Sequence, residues 1–254
     1  AGKAGAIYLE NGENVSKQYG QIFAQTPIVD VAGVGPLAYY PNRNSLSYID
    51  TYHLHGVKDF VRTTLRYPAF CIGWNAIVQL HLTDETVVDL APNTTVKNWF
   101  ESHIQQKGLE QILEKFTQDP AIKVQLEFIG LYEPTPIPSQ FNSNASILQW
   151  LLEGKWKLEA TDKDLVVMLH EIEYSIGTRQ FKLDSSMVLT GEDAINTAMA
   201  TTVGLPLAMG VCAYLKGEIK MTGLHIPIDA RIYQPILKSL AKEGIVFEET
   251  LTSY

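Results

Sequence analysis

Apolar and polar positions alternate in short runs at the start of the chain, and turn residues punctuate them. Residues 5–10 (GAIYLE) followed by Asn11-Gly12 read as a strand and a turn. Val15, Tyr19, Ile22 and Phe23 recur near the helical period, which predicts a short helix ending before Pro27. Residues 28–31 and 37–40 are β-like, with Gly33 and Gly35 between them. Over 57–67 (VKDFVRTTLRY) the β-branched and aromatic residues suit a strand, while Val57, Phe60, Val61 and Leu65 also fit a helix face. The pattern leaves both open.

From Pro68 the period is helical through PAFCIGWNAIVQL, a segment carrying Val96, Trp99, Phe100, His103 and Ile104, then LEQILEKF and AIKVQLEFIGLY. The three prolines of EPTPIPSQFNSN mark a loop, after which Asn144 is expected to cap the helix SILQWLLEGKWKLE. Residues 68–160 thus form a helical block. After Asp164 the texture changes to two strand candidates, LVVMLHEIEYSI and TRQFKLDSSMVLTG, expected to form a hairpin about Gly177. A helix rich in small residues follows over 194–215, with a break expected at Gly204 and Pro206. The end reads as a helix (ARIYQPILKSLAKEG, interrupted or begun at Pro235) and a last strand, IVFEETL. This order predicts an α+β fold, a mixed β-sheet with a helical insertion and C-terminal helices, and lacks the eight regular units of a (β/α)₈ barrel.

Composition narrows the function classes. The chain has 254 residues, 46% apolar and 19% charged, enough for a buried core in one large domain or two small ones at about 100–200 residues each. Mean hydropathy is close to zero, and no apolar run approaches the roughly 20 residues of a membrane-spanning helix, so no membrane partner is expected. Twenty Lys and Arg against 28 Asp and Glu give a net charge of −8, which opposes nucleic acid. Two cysteines, Cys71 and Cys212, are too few for a disulfide framework and fit a reducing compartment. AGKAGAIYLENG lacks the apolar segment of a secretory signal, so the expected location is the cytoplasm.

Most candidate chemistry fails on context. Gly33-Val34-Gly35-Pro36 superficially matches a dinucleotide fingerprint, but the segment after it is β-like, whereas the fingerprint must open a helix; a turn between strands is expected, with no cofactor held by this chain. His53 and His55 lie two apart without an evident third ligand, and His170-Glu171 lacks the second His of a zincin motif, so no metal site is expected. Cys71, among Phe70, Ile72 and Trp74, is expected to be a buried, inert thiol. No GxSxG elbow occurs.

The arginines remain. Only five occur, and Arg43, Arg62 and Arg66 fall within 24 residues. With Asn42, Ser45 and Thr64 they combine bidentate carboxylate binders with short hydroxyl and amide donors, a candidate carboxylate site. The competing reading is structural ion pairing with Asp50, Asp59 or other acids, and composition alone leaves the two equal.

The residues also resemble a family. Tyr40-Pro41-Asn42-Arg43-Asn44-Ser45, Val61-Arg62-Thr63-Thr64-Leu65-Arg66-Tyr67 and the helix PAFCIGWNAIVQL are similar to the substrate-binding part of glutamate-forming saccharopine dehydrogenases. Thr197-Ala198-Met199-Ala200-Thr201-Thr202-Val203-Gly204-Leu205-Pro206, Leu215-Lys216-Gly217-Glu218-Ile219-Lys220, Gly223 and Ile232-Tyr233-Gln234-Pro235-Ile236-Leu237 resemble the family's C-terminal signature. Asn44 stands where the family usually has aspartate, and Thr63 where it usually has glycine.

The resemblance implies the substrate-binding and dimerisation region of an NAD- or NADP-dependent oxidoreductase of lysine metabolism. Its nucleotide domain and catalytic groups are expected outside this chain, leaving the chain alone inactive. It implies a polycarboxylate amino acid such as saccharopine as ligand, clamped by Arg43 and Arg62 with Asn42, Ser45 and Thr64 donating hydrogen bonds and Arg66 nearby, and it implies a homodimer. Over 193–254 it implies a segment that packs back toward the nucleotide domain. A stand-alone non-catalytic module, or a related reductase making polyamine-type secondary amines, stays open on the sequence.

Overall fold

Asn11 and Gly12, both in the left-handed region at φ of 52° and 81°, turn the chain tightly between antiparallel strands β1 (Ala6–Glu10) and β2 (Glu13–Lys17). The structure, a computed structural model, describes residues 3–254. Val15 is therefore a strand residue paired with Tyr8, and the helix expected across 15–23 contracts to the single turn α1 (Tyr19–Ile22). Strands β3 (Ile28–Val31) and β4 (Gly35–Pro41) are joined through Gly33 and Gly35, at φ of 76° and 93°. The glycine pair serves a hairpin turn and opens no helix. The short β5 (Arg43–Asn44) adds parallel to β1, and α2 (Ser47–Thr51) follows. The ambiguous segment resolves as β6 (Thr63–Arg66), antiparallel to β4 with Tyr40 opposite Thr64 and Ala38 opposite Arg66.

Five longer helices follow: α3 (Pro68–Gln79), α4 (Val96–Lys107), α5 (Glu110–Thr117), α6 (Pro120–Ile129) and α7 (Asn144–Lys155). Ser143, not Asn144, caps α7, its hydroxyl accepting from Ser146 N–H at 3.2 Å. Asn144 is engaged elsewhere. Trp99 Nε1 can only donate, and it donates to Asn144 Oδ1 at 3.0 Å. The amide nitrogen of Asn144 therefore faces His103 Nδ1 at 3.1 Å, which must accept, and Nε2–H of His103 donates to the Leu80 carbonyl at 2.8 Å. This buried chain fixes one neutral tautomer of His103, and burial holds the imidazole below its ordinary pKa. Around it Phe100, Leu80, Leu82, Leu126, Leu131 and Ile147 are almost wholly excluded from solvent.

The chain divides into two compact units, Ala1–Asp30 with Val34–Lys157, and Val31–Gly33 with Leu158–Tyr254. In the second, β7 (Leu165–Ile176) and β8 (Arg179–Thr190) form the expected hairpin about Gly177, and β9 (Glu248–Ser253) pairs antiparallel on the free side of β8. Helix α8 (Ala198–Leu215) runs unbroken through Gly204 and Pro206, and α9 (Ala230–Lys242) runs through Pro235, so neither expected break occurs. Each proline forfeits one helical N–H, and mutual packing of the two helices compensates. Its 18 residues make α8 long and apolar enough to cross a membrane by length and composition, contrary to the expectation that no segment approaches that measure. Within its unit the helix packs against α9 and β7.

The α+β class is as expected. The strands are distributed over three separate three-stranded sheets, β2-β1-β5, β3-β4-β6 and β7-β8-β9.

Candidate carboxylate-binding site

Each of the six candidate residues lies where β4, β5 and β6 meet in the first unit. Past the end of the β4–β6 pairing, Asn42 N–H donates to the Arg62 carbonyl at 2.8 Å, extending the register by one residue on each strand. Strand alternation then sets Arg62, Thr64 and Arg66 on one face of β6. That removes the helical alternative, in which Thr64 would turn away.

Ser45 has no exposed surface. Its hydroxyl accepts the Arg62 N–H at 2.9 Å, its own N–H donates to the Ile7 carbonyl at 2.8 Å, and its carbonyl accepts the Tyr48 N–H at 3.1 Å. The serine therefore stands behind the arginine and ties it to β1 and α2. Asn42 and Thr64 are half-buried, whereas Arg43 and Arg66 are exposed. Arg43 occupies the left-handed region at φ of 51°, unusual for a side chain of this size. It marks the point where the chain bends from β4 into β5.

The side-chain contacts separate the two readings of the cluster. Among the described residues, Arg43, Arg62 and Arg66 have no carboxylate within 4.0 Å. Asp50 lies 3.6 Å from His55, and Asp59 accepts the Asn11 N–H at 2.7 Å, so both acids that competed for the arginines are occupied elsewhere. The Arg62 guanidinium lies over the Tyr48 ring, 3.9 Å from its centroid. Arg66 donates to the Leu65 carbonyl at 2.8 Å and lies 5.7 Å from the Phe70 ring centroid. Burial raises the pKa of Tyr40, and the charge of Arg66 and the Thr64 hydroxyl oppose that rise. Cys71 is fully buried and burial raises its thiol pKa, as befits an inert core cysteine.

Tyr48 carries no sequence signal. It lies 14 residues before Arg62 with no shared period, and only the tertiary bonds through Ser45 bring the two together.

Neither of two cavities among the described residues is lined by the arginines. One, of about 620 Å³, is lined by Tyr19, Trp74, Trp156 and Lys157 among others in the first unit. The other, about 740 Å³ and almost wholly apolar, lies between α8 and α9. Among the described residues no group of three His, Cys, Asp or Glu side chains is arranged to hold a metal. The glycine pair turns into β4, where a dinucleotide fingerprint would need a helix N-terminus.

A family match decides what this arrangement belongs to: residues 1–245 match the saccharopine dehydrogenase C-terminal domain. The chain belongs to that family. The alpha-aminoadipic semialdehyde synthase of Rattus norvegicus is 32% identical over 262 residues, covering 97% of this chain and 28% of the relative. The NADP(+)-dependent, L-glutamate-forming saccharopine dehydrogenase of Schizosaccharomyces pombe is 27% identical, covering 84% of this chain and 50% of the relative. In fold, the chain superimposes on the apo saccharopine dehydrogenase (L-Glu forming) of Saccharomyces cerevisiae with a TM-score of 0.86 over 98% of its length and 59% of that chain, at 24% identity. The chain thus spans half or less of the length of these two sequence relatives.

Proposed function

We propose that this chain is the substrate-binding and dimerisation region of an NAD- or NADP-dependent saccharopine dehydrogenase acting in lysine metabolism in the cytoplasm. The observation that carries the reading is a half-buried Arg62 and an exposed Arg43 without carboxylate partners among the described residues, in a chain of net charge −8 that belongs to this family. Saccharopine joins glutamate and lysine skeletons through a secondary amine and carries three carboxylates. Arg43 and Arg62 each grip one of them through the two-pronged guanidinium edge. Asn42 and Thr64 donate at the flanks, Ser45 holds Arg62 from behind, and Arg66 adds positive potential to the same strand face.

Held by another part of the polypeptide, a nicotinamide nucleotide would supply the hydride acceptor for the conversion of saccharopine, with water, to glutamate and aminoadipate semialdehyde. The chain alone is then a weak polycarboxylate binder without activity. Two copies associate as a homodimer.

The test is an assay of the full-length protein with NAD or NADP. Saccharopine-dependent formation of reduced nicotinamide is expected from the full protein and none from this chain alone. Turnover of a polyamine-type secondary amine with none of saccharopine would overturn the reading.

A further inference from the structure

Arg62 is held by two independent grips. Its main chain is fixed at both polar groups, the N–H by Ser45 Oγ at 2.9 Å and the carbonyl by Asn42 N–H at 2.8 Å. Its guanidinium has no carboxylate within 4.0 Å among the described residues and lies 3.9 Å from the centroid of the Tyr48 ring. The ring is placed by the same serine, whose carbonyl accepts the Tyr48 N–H at 3.1 Å. One buried residue thus sets both the platform and the group lying on it. Tyr48 is braced in turn by the Tyr52 ring, 5.8 Å away.

We propose that Tyr48 is a positioning residue for substrate binding: its ring holds the guanidinium of Arg62 in place, so that the N–H edge is turned to a substrate carboxylate. The proposal rests on the reading of Arg62 as a carboxylate clamp. The physical case is entropic and electrostatic together. A free arginine side chain loses substantial rotamer freedom when it grips a ligand, and a ring that already confines the group removes part of that loss. The π-face attracts the cation without using its N–H donors. A carboxylate partner would restrain the charge equally well, but it would occupy the donors the substrate needs. The ring leaves them free.

The experiment is steady-state kinetics of saccharopine oxidation by the full-length protein carrying Tyr48→Phe, Tyr48→Leu, Arg62→Ala and the double variant Tyr48→Leu with Arg62→Ala. Tyr48→Phe is expected to stay within about twofold of the parent. Tyr48→Leu is expected to raise KM by about 5- to 30-fold with kcat little changed, as for loss of one cation–π contact. On the Arg62→Ala background the same change is expected to have little further effect, because the ring acts through the arginine. Replacing Tyr48 by phenylalanines of increasing fluorination gives a second readout that preserves ring shape, and KM is expected to climb as the π-face loses negative charge. Should Tyr48→Leu fail to fold, that series decides alone. An unchanged KM in Tyr48→Leu, or a fluorination series that is flat, overturns the proposal while Arg62→Ala still raises KM. An unchanged KM in Arg62→Ala overturns the underlying reading.

Discussion

The buried hydroxyl of Ser45 accepts the main-chain N–H of Arg62 at 2.9 Å, and it does so from a residue with no exposed surface of its own. A serine chosen from its sequence pattern as a ligand donor is placed as the strut that fixes the arginine. Ser45→Ala leaves the Arg62 N–H without its acceptor, at a cost of about 1–3 kcal/mol. Thermal unfolding is expected to shift down by a few degrees, and saccharopine binding to weaken. Stability unchanged within error would show that the strut carries no load.

Arg43 offers a change whose two effects have opposite signs. Its φ of 51° costs a residue with a Cβ on the order of 1–2 kcal/mol, which glycine avoids at the expense of a more flexible unfolded chain. Arg43→Gly is expected to leave the thermal midpoint level or slightly higher while weakening binding of a polycarboxylate by tenfold or more. Loss of stability and binding together would mean that the arginine is a structural element.

The chain from Trp99 through Asn144 to His103 predicts acid sensitivity. His103 accepts from Asn144 at Nδ1 and is neutral in the fold, with its pKa below the ordinary 6.5. Below pH 6.5 the unfolded chain takes up a proton that the folded chain refuses until its own lower pKa is reached. Stability contributed by the neutral ring is therefore full above 6.5 and falls as pH drops toward the folded value. Denaturant unfolding between pH 5 and 7.5 is expected to show this slope, and His103→Gln, which removes the titrating ring, to flatten it while lowering stability overall.

At the start of α8, Asp164 accepts Ala198 N–H at 2.6 Å and Met199 N–H at 2.9 Å, a charged cap supplied from outside the helix. A Cβ on Gly191 would lie 2.2 Å from the same carboxylate oxygen and 2.8 Å from Ala198 N. Asp164→Ala and Gly191→Ala are each expected to cost about 1–2 kcal/mol in chemical denaturation, and the double variant less than their sum.

The sequence made visible those elements whose period and turn chemistry agree. The Asn11-Gly12 turn, the hairpin about Gly177 and the helices from Pro68 to Lys155 are of this kind. Long-range pairing decided the others. Val15 fits a helical spacing but faces Tyr8 across a two-residue turn, and Val57, Phe60, Val61 and Leu65 suit either structure until β4 supplies a partner for β6. Pro206 and Pro235 signal breaks that the packing of α8 on α9 outweighs. In the site, scarcity drew attention to Arg43, Arg62 and Arg66, and the resemblance gave them a ligand. The burial of Ser45 and the stacking of Arg62 on Tyr48 are tertiary facts with no local pattern.

The most direct test of the central claim, that unpaired arginines on this face clamp a polycarboxylate, is calorimetric titration of the protein with saccharopine, run in parallel on Arg43→Ala. Saturable binding that weakens at least tenfold in the variant is the result expected. Equal affinity in both proteins would contradict it.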